Sequence, residues 1–150
     1  MPQSLAKVYL HIVFSTKNRQ HSISPDIENE LHKYIGGILT GVNCPPIKIN
    51  GTRDHIHILC LLSRIITMSK LLEETKKGSS KWIKSKGEKF KKFYWQNGYG
   101  IFSVSQSNVK EVESYIDKQK EHHKKYSFQE EFVRLLKKHK IEYDERYIWD

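Results

Sequence analysis

The stretch from Ile47 to Leu62 constrains the fold more than any other. Ile47-Lys48-Ile49-Asn50 and His55 to Leu62 are two strand-like runs meeting at Asn50-Gly51, the strongest short-range hairpin signal. A hairpin in the middle of a chain needs further strands and a helical layer to bury its apolar face. Residues 7–15, Lys-Val-Tyr-Leu-His-Ile-Val-Phe-Ser, supply one strand, with Val8, Leu10, Ile12 and Phe14 on a common face. Tyr99 to Val104 supplies another.

Helices fall between these strands. Ser24-Pro25 is a helix start, serine as cap and proline at the first helical position. Ile27, Leu31, Tyr34 and Ile38 follow at helical spacing, and the glycines around Gly41 end the segment. Thr67 or Ser69 opens a second helix through Leu71 and Leu72, with Gly78-Ser79-Ser80 as a candidate break before Trp82. Ser107 or Asn108 caps a third helix over 109–124, and Phe128 to Lys138 forms a fourth. The order β-α-β-β-α-β predicts a ferredoxin-like α+β fold: an antiparallel sheet with helices on one face, plus C-terminal helices. With 150 residues, no internal repeat and no linker, the chain is expected to be one domain, its core at about 7–124 and a helical extension at 125–150.

The longest apolar run, Ile56 to Leu62, is far short of the roughly 20 residues of a membrane span, and the N-terminus has no signal-like hydrophobic stretch. A cytoplasmic protein is therefore expected. Cys44 and Cys60 have neither zinc spacing nor the numbers for a disulfide framework, and read as ordinary thiols.

Charge narrows the partner. The chain carries +9, and between Lys76 and Lys92 eight lysines face a single acid, Glu88. Such a patch suits a polyanion, because each neutralised phosphate releases condensed counterions. Aromatic residues in and after it (Trp82, Phe90, Phe93, Tyr94, Trp95) favour nucleic acid, since unpaired bases stack on such rings. A lysine-rich solvated face is the bland alternative.

Two constellations carry chemistry. In Asp54-His55-Ile56-His57 the imidazoles lie two apart on a strand, roughly 6–7 Å along the backbone on one face, and can converge on one ion while Ile56 anchors the opposite face. Tyr115 and Gln119 lie four apart in the third helix, flanking the apolar stripe Val109, Val112, Ile116, so one helix presents both to one site. Two imidazoles and an amide oxygen would leave a divalent cation its full charge as a Lewis acid toward phosphate, and such a donor set suits Mn²⁺ and accepts Mg²⁺. A phenol with an ordinary pKa near 10 needs assistance to act as a nucleophile.

Together these motifs resemble the single-tyrosine transposases of the insertion sequence 200/605 group and their repeat-associated relatives. His55-Ile56-His57 matches the histidine-hydrophobic-histidine motif, and Tyr115 with Gln119 the Tyr-x-x-x-Gln motif. Thr16-Lys17-Asn18-Arg19, Asp54, Lys77-Gly78-Ser79-Ser80-Lys81-Trp82, Gly98-Tyr99-Gly100 and Ser103-Val104-Ser105 agree in order and spacing. The resemblance implies single-stranded DNA hairpins as partner, attack by Tyr115 on the scissile phosphate to give a 5′-phosphotyrosine, and a divalent metal, Mg²⁺ or Mn²⁺, held by His55, His57 and Gln119. It implies a homodimer for insertion-sequence members, with the tyrosine helix acting within or between subunits, whereas repeat-associated members act as monomers. Lys17, Arg19, Arg53, Lys76, Lys77 and Lys81 are the expected DNA contacts, by position near the site or in the basic patch. His122, seven beyond Tyr115, is a candidate to assist it, a surface histidine the simpler reading. The longer C-terminus resembles the repeat-associated relatives, including domesticated copies acting on palindromic repeats. Two other readings stay open: a hydrolytic phosphoesterase with the same histidines, and a non-catalytic single-strand binder. The latter calls for exposed aromatics on the central strands, where 55–62 offers two histidines and none.

Overall fold

A computed structural model describes residues 2–150. Four strands, β1 (Tyr9–Ser15), β2 (Pro46–Gly51), β3 (His55–Leu61) and β4 (Gly100–Val104), form an antiparallel sheet in the order β2-β3-β1-β4. This is the split arrangement the element order predicts. α1 (Pro25–Gly41) and α2 (Met68–Lys84) pack on one face; α3 (Val109–Asp117), α4 (Gln119–His122) and α5 (Phe128–Lys138) cover the other.

The first face follows the sequence pattern. Leu10, Ile12 and Phe14 of β1 meet Ile56, Ile58 and Cys60 of β3 over Leu31, Ile35 and Leu39 of α1 and Leu71 and Ile83 of α2. Val8 is exposed, outside the strand. The buried stripe of α1 is Ile27, Leu31, Ile35, Leu39; Tyr34, expected in it, lies on the flank and stacks on Trp82 at 5.0 Å. Cys44 and Cys60 are free thiols within this core.

The second face was not legible as a core. Tyr9, His11, Val13 and Ser15 are as buried as their neighbours: α5 covers Val13, Tyr115 lies against His11, and Tyr9 and Ser15 bond to Gln106 and Gln96. Phe128, Phe132, Leu135 and Leu136 of α5 pack on Val13 and Phe102, each such side chain contributing roughly 2 kcal/mol by leaving water. A capping box between Ser127 and Glu130 fixes where α5 begins.

Three local details differ from the sequence pattern. The Gly78-Ser79-Ser80 segment does not interrupt α2: a Cβ on Gly78 would lie 2.8 Å from Ile38 Cδ1, and Ser79 accepts a hydrogen bond from Trp95 Nε1 at 2.9 Å. These small residues serve close packing. The hairpin turns one step later than Asn50-Gly51, at residues 52–54, with Gly51 still paired to Ile56. A Cβ on Gly51 would fall 2.2 Å from the His55 carbonyl oxygen, so only glycine fits. The helix expected over 109–124 breaks at Lys118 (φ −96°, ψ 19°). Asn50 supports the break, since its side-chain amide donates to the carbonyls of Ile116 (3.0 Å) and Asp117 (3.1 Å) at the end of α3.

Candidate active site

The two histidines sit on the covered face of β3. His55 is paired across the sheet with Ser15, and His57 with Val13 and Asn50. Both rings are fully buried. Strand alternation aims them together, and their ring centroids are 5.1 Å apart.

What they face is a carboxylate absent from the sequence-level site. Glu131, on α5, places Oε1 2.9 Å from His57 Nε2 and 3.4 Å from His55 Nε2. Its Oε2 accepts from Gln119 Nε2 at 2.9 Å and from the Tyr115 hydroxyl. His123 Nε2 lies 2.9 Å from Oε1 and 3.1 Å from Gln119 Oε1. Gln119 in turn brings Oε1 within 2.9 Å of His55 Nε2. Thus His55, His57, Tyr115 and Gln119 come together in one chain, around Glu131. Tyr115 and Gln119 reach the same place from two helical pieces, α3 and the first residue of α4, rather than from one continuous helix.

Each β3 histidine has a second partner. His55 Nδ1 donates to Asp54 Oδ1 at 2.7 Å, and Thr52 Oγ1 donates to the same oxygen at 2.9 Å. His57 Nδ1 lies 2.8 Å from His11 Nε2, so the tautomer that donates Nε2–H to Glu131 accepts at Nδ1 from His11. Such outer partners fix ring orientation.

Burial and charge set the protonation of this cluster. Burial works against a charged His55, but its bonds to Asp54 and Glu131 outweigh that and lift its pKa to about 9. Burial keeps His57 below its usual value despite Glu131, and does so more strongly for His11. Burial would raise Glu131, yet the surrounding histidines, His57 foremost, hold its carboxyl well below the usual carboxylate range. Tyr115 is pushed well above an ordinary phenol by burial and then by the Glu131 charge.

The donor set fits a divalent cation. Ligand atoms from His55, His57 and Glu131 lie within 4.8 Å of one another, and all three residues are buried. Two imidazoles and one carboxylate, with an amide oxygen beside them, are the donors that first-row divalent ions and Mg²⁺ accept. The carboxylate changes one expectation: a bound ion would be partly neutralised rather than keep its full charge.

Of the other expected residues, His122, Arg19 and Arg53 border the cluster, whereas Lys76, Lys77 and Lys81 sit on α2, across the sheet from it. His122 stacks on the Tyr115 ring at 4.9 Å instead of bonding to its hydroxyl, and its Nε2 is buried without a partner. Arg53 and Arg19 line a cleft of roughly 660 Å³ with Lys120 and His123. Arg19 is partly engaged there, donating to the Trp149 carbonyl at 2.6 Å. Lys17 and Lys84 lie over the exposed Tyr94 ring, and Lys77 and Lys81 are exposed along α2. Lys76 is different: its ammonium donates to the carbonyls of Gln96, Asn97 and Gly98, an internal clasp. Of the aromatics in the basic region, Phe90, Phe93 and Trp95 are core residues, while Tyr94 is exposed and Trp82 half-buried against Tyr34. Glu131, His123 and His11 went unrecognised in the sequence. Glu131 sits inside the polar/apolar pattern of an ordinary amphipathic helix, and only its position in space distinguishes it.

The family model of IS200-like transposases matches residues 4–119. A search of curated proteins returned no match. Among solved structures, the chain is similar to one from Deinococcus radiodurans R1 provisionally described as a transposase (18% identity, TM-score 0.62, covering 79% of this chain and 98% of that one). It is also similar to a REP-associated tyrosine transposase bound to a REP hairpin (13% identity, TM-score 0.61, covering 82% and 73%). At such identities the likeness speaks for the fold. Glu131 and α5 lie beyond the family match.

Proposed function

Because this chain belongs to the IS200-like transposase family, we propose that it cuts and rejoins single-stranded DNA at hairpin ends through a covalent 5′-phosphotyrosine on Tyr115. The observation that carries the reading is the meeting of Tyr115, His55, His57 and Gln119 on the Glu131 carboxylate. A hairpin substrate is supported by the similar REP-associated enzyme, which was solved on one.

In this reading His55, His57, Gln119 and Glu131 hold Mg²⁺ or Mn²⁺, which supplies Lewis-acid polarisation of the scissile phosphate when bound. The protein does the rest. Glu131 Oε2 accepts the Tyr115 hydroxyl proton's hydrogen bond, aims the oxygen and is the nearest base for that proton. The Tyr115 oxygen bonds to phosphorus as the P–O3′ bond breaks; the 3′ oxygen leaves and takes up a proton. Reversal by another 3′-hydroxyl rejoins the strand without ATP, because the phosphotyrosine conserves the bond energy. Asp54 and His11 keep the two imidazoles in register. Arg19 and Arg53 in the cleft beside His123, with Lys17, Lys77 and Lys81, carry the phosphate backbone, whereas Lys120 is held in an ion pair with Glu28 at 2.6 Å. Lys76 keeps a smaller part, since its ammonium is already engaged.

We read residues 1–150 as one domain acting on DNA in the cytoplasm. Among the described residues no helix is long and apolar enough to cross a membrane. One chain carries every group of the site, which supports a tyrosine helix acting within its own subunit, and in this reading the homodimer implied by the resemblance is an assembly feature. A domesticated copy acting on palindromic repeats is the second reading, favoured by the α5 extension beyond the family match.

The test is incubation of labelled single-stranded hairpin DNA with the protein and Mn²⁺. A denaturation-resistant protein–DNA band is expected, lost with chelator and with Tyr115→Phe. Turnover that persists in Tyr115→Phe without a band would establish the hydrolytic rival instead.

A further inference from the structure

A half-open cavity of roughly 300 Å³ beside Tyr115 shares only Tyr126 with the Arg19–Arg53 cleft, and no role above uses its β4, α3 and α5 walls. Its walls come from three elements: Ser103 and Val104 of β4, Asn108 and Val112 at and within the start of α3, and Arg134, Leu135 and Lys138 of α5. Tyr115 and Glu131 form part of the same lining, so the cavity is continuous with the reacting hydroxyl. Tyr126 borders both this cavity and the cleft, which makes it the partition between them.

Shape and chemistry select the occupant. This volume is at the small end of ligand pockets, the size of a single nucleotide rather than a stretch of strand. Val104, Val112 and Leu135 offer apolar surface for a flat ring. Asn108 and Glu111 offer a donor and acceptors for a base edge. Arg134 and Lys138 are both exposed, and Arg134 lies over the Tyr126 ring at 4.5 Å, its guanidinium beside the pocket. Cations on one flank, with the Tyr115 and Tyr126 rings in the lining, are the two halves of single-strand recognition. We propose that this cavity receives one unpaired base immediately next to the scissile phosphate, with Arg134 and Lys138 holding the adjoining phosphate. The base would then locate the cut relative to the Tyr115 oxygen. The proposal rests on the reading of Tyr115 as nucleophile, but its test does not.

The probes are the four 2′-deoxynucleoside 5′-monophosphates, titrated into full-length protein and followed by amide chemical shifts. Saturable shifts at Ser103, Val104, Asn108 and Val112 are expected. Val112→Trp, which fills the cavity from a half-buried position, is expected to weaken binding at least tenfold while leaving Mn²⁺ binding intact; Ser103→Trp, from an exposed position on β4, is expected to do the same. No saturable shift in these residues, or shifts that neither tryptophan reduces, would overturn the pocket. Loss of Mn²⁺ binding in one variant marks a misfolded protein, and the other variant then decides. A missing Tyr115–DNA adduct with the shifts intact would instead remove the strand-cleavage reading, so the two failures are separable.

Discussion

The Tyr115 hydroxyl donates its hydrogen bond to Glu131, a carboxylate sixteen residues further along the chain and on a different helix. The same carboxylate bonds to His57, His123 and Gln119. It is the hub of the site, and removing its charge strands several buried donors at once.

Glu131→Gln is therefore expected to weaken Mn²⁺ binding by tenfold or more, read by calorimetry. It should also cost about 3 kcal/mol of stability in chelator at neutral pH, as breaking a buried ion pair does. Urea unfolding of the metal-free protein checks the second figure; an unchanged midpoint would mean that the cluster is not held by this charge.

The outer partners of the imidazoles should matter to metal and little to fold. Asp54→Asn and His11→Phe are each expected to lower Mn²⁺ affinity by about 10–100-fold, the usual cost of losing such a partner. Far-ultraviolet circular dichroism should be unaltered. Equal affinities in wild type and variants would show that β3 alone orients the rings.

Gly51→Ala places a methyl group against the His55 carbonyl. The end of the hairpin must shift, carrying His55 with it, and destabilisation of about 2–4 kcal/mol is expected. Thermal unfolding measures this, and a neutral outcome would mean that the 52–54 turn relaxes freely.

Two neighbouring lysines should behave differently. Lys81→Ala is expected to lower the slope of log affinity for single-stranded DNA against log salt by about one unit's worth of a phosphate contact. Lys76→Ala should leave the slope nearly unchanged and lower the melting temperature, because its ammonium clasps three carbonyls. Fluorescence anisotropy across a salt series separates the two.

His32 supplies a pH dependence away from the site. Burial lowers its pKa to about 4, against an ordinary 6.5. Between these values the unfolded chain binds the proton and the folded protein does not, so stability present above pH 6.5 is lost as pH falls toward 4. His32→Gln is expected to move the acid-unfolding midpoint down by about half a pH unit. A midpoint unchanged in the variant would mean that His32 titrates alike in both states.

Strands and helices are legible where a period of two or 3.6 meets a start signal, as at Ser24-Pro25, and Phe128 to Lys138 is legible from its apolar pattern alone. The histidine pair was legible because strand alternation alone makes His55 and His57 face one way. Glu131 was not, since no local pattern tells a carboxylate aimed at a buried cluster from one in water. The break at Lys118 is hidden for a similar reason: Asn50, whose amide bonds the carbonyls at the break, lies across the fold. Gly78-Ser79-Ser80 misled because small residues signal both flexibility and close packing, and only Ile38 and Trp95 decide between them.

β1 and β3 have no wet side: residues from Tyr9 to Ser15 and from His55 to Cys60 are buried on both faces of the sheet. The imidazoles are thus mounted on the stiffest part of the molecule, and their amide protons should exchange only when the whole protein unfolds. Any breathing that admits a nucleic-acid strand must then come from the roof, where α4 is a single short turn and residues 123–127 join it to α5. Protection from solvent deuterium should fall steeply from the floor of the site to this roof.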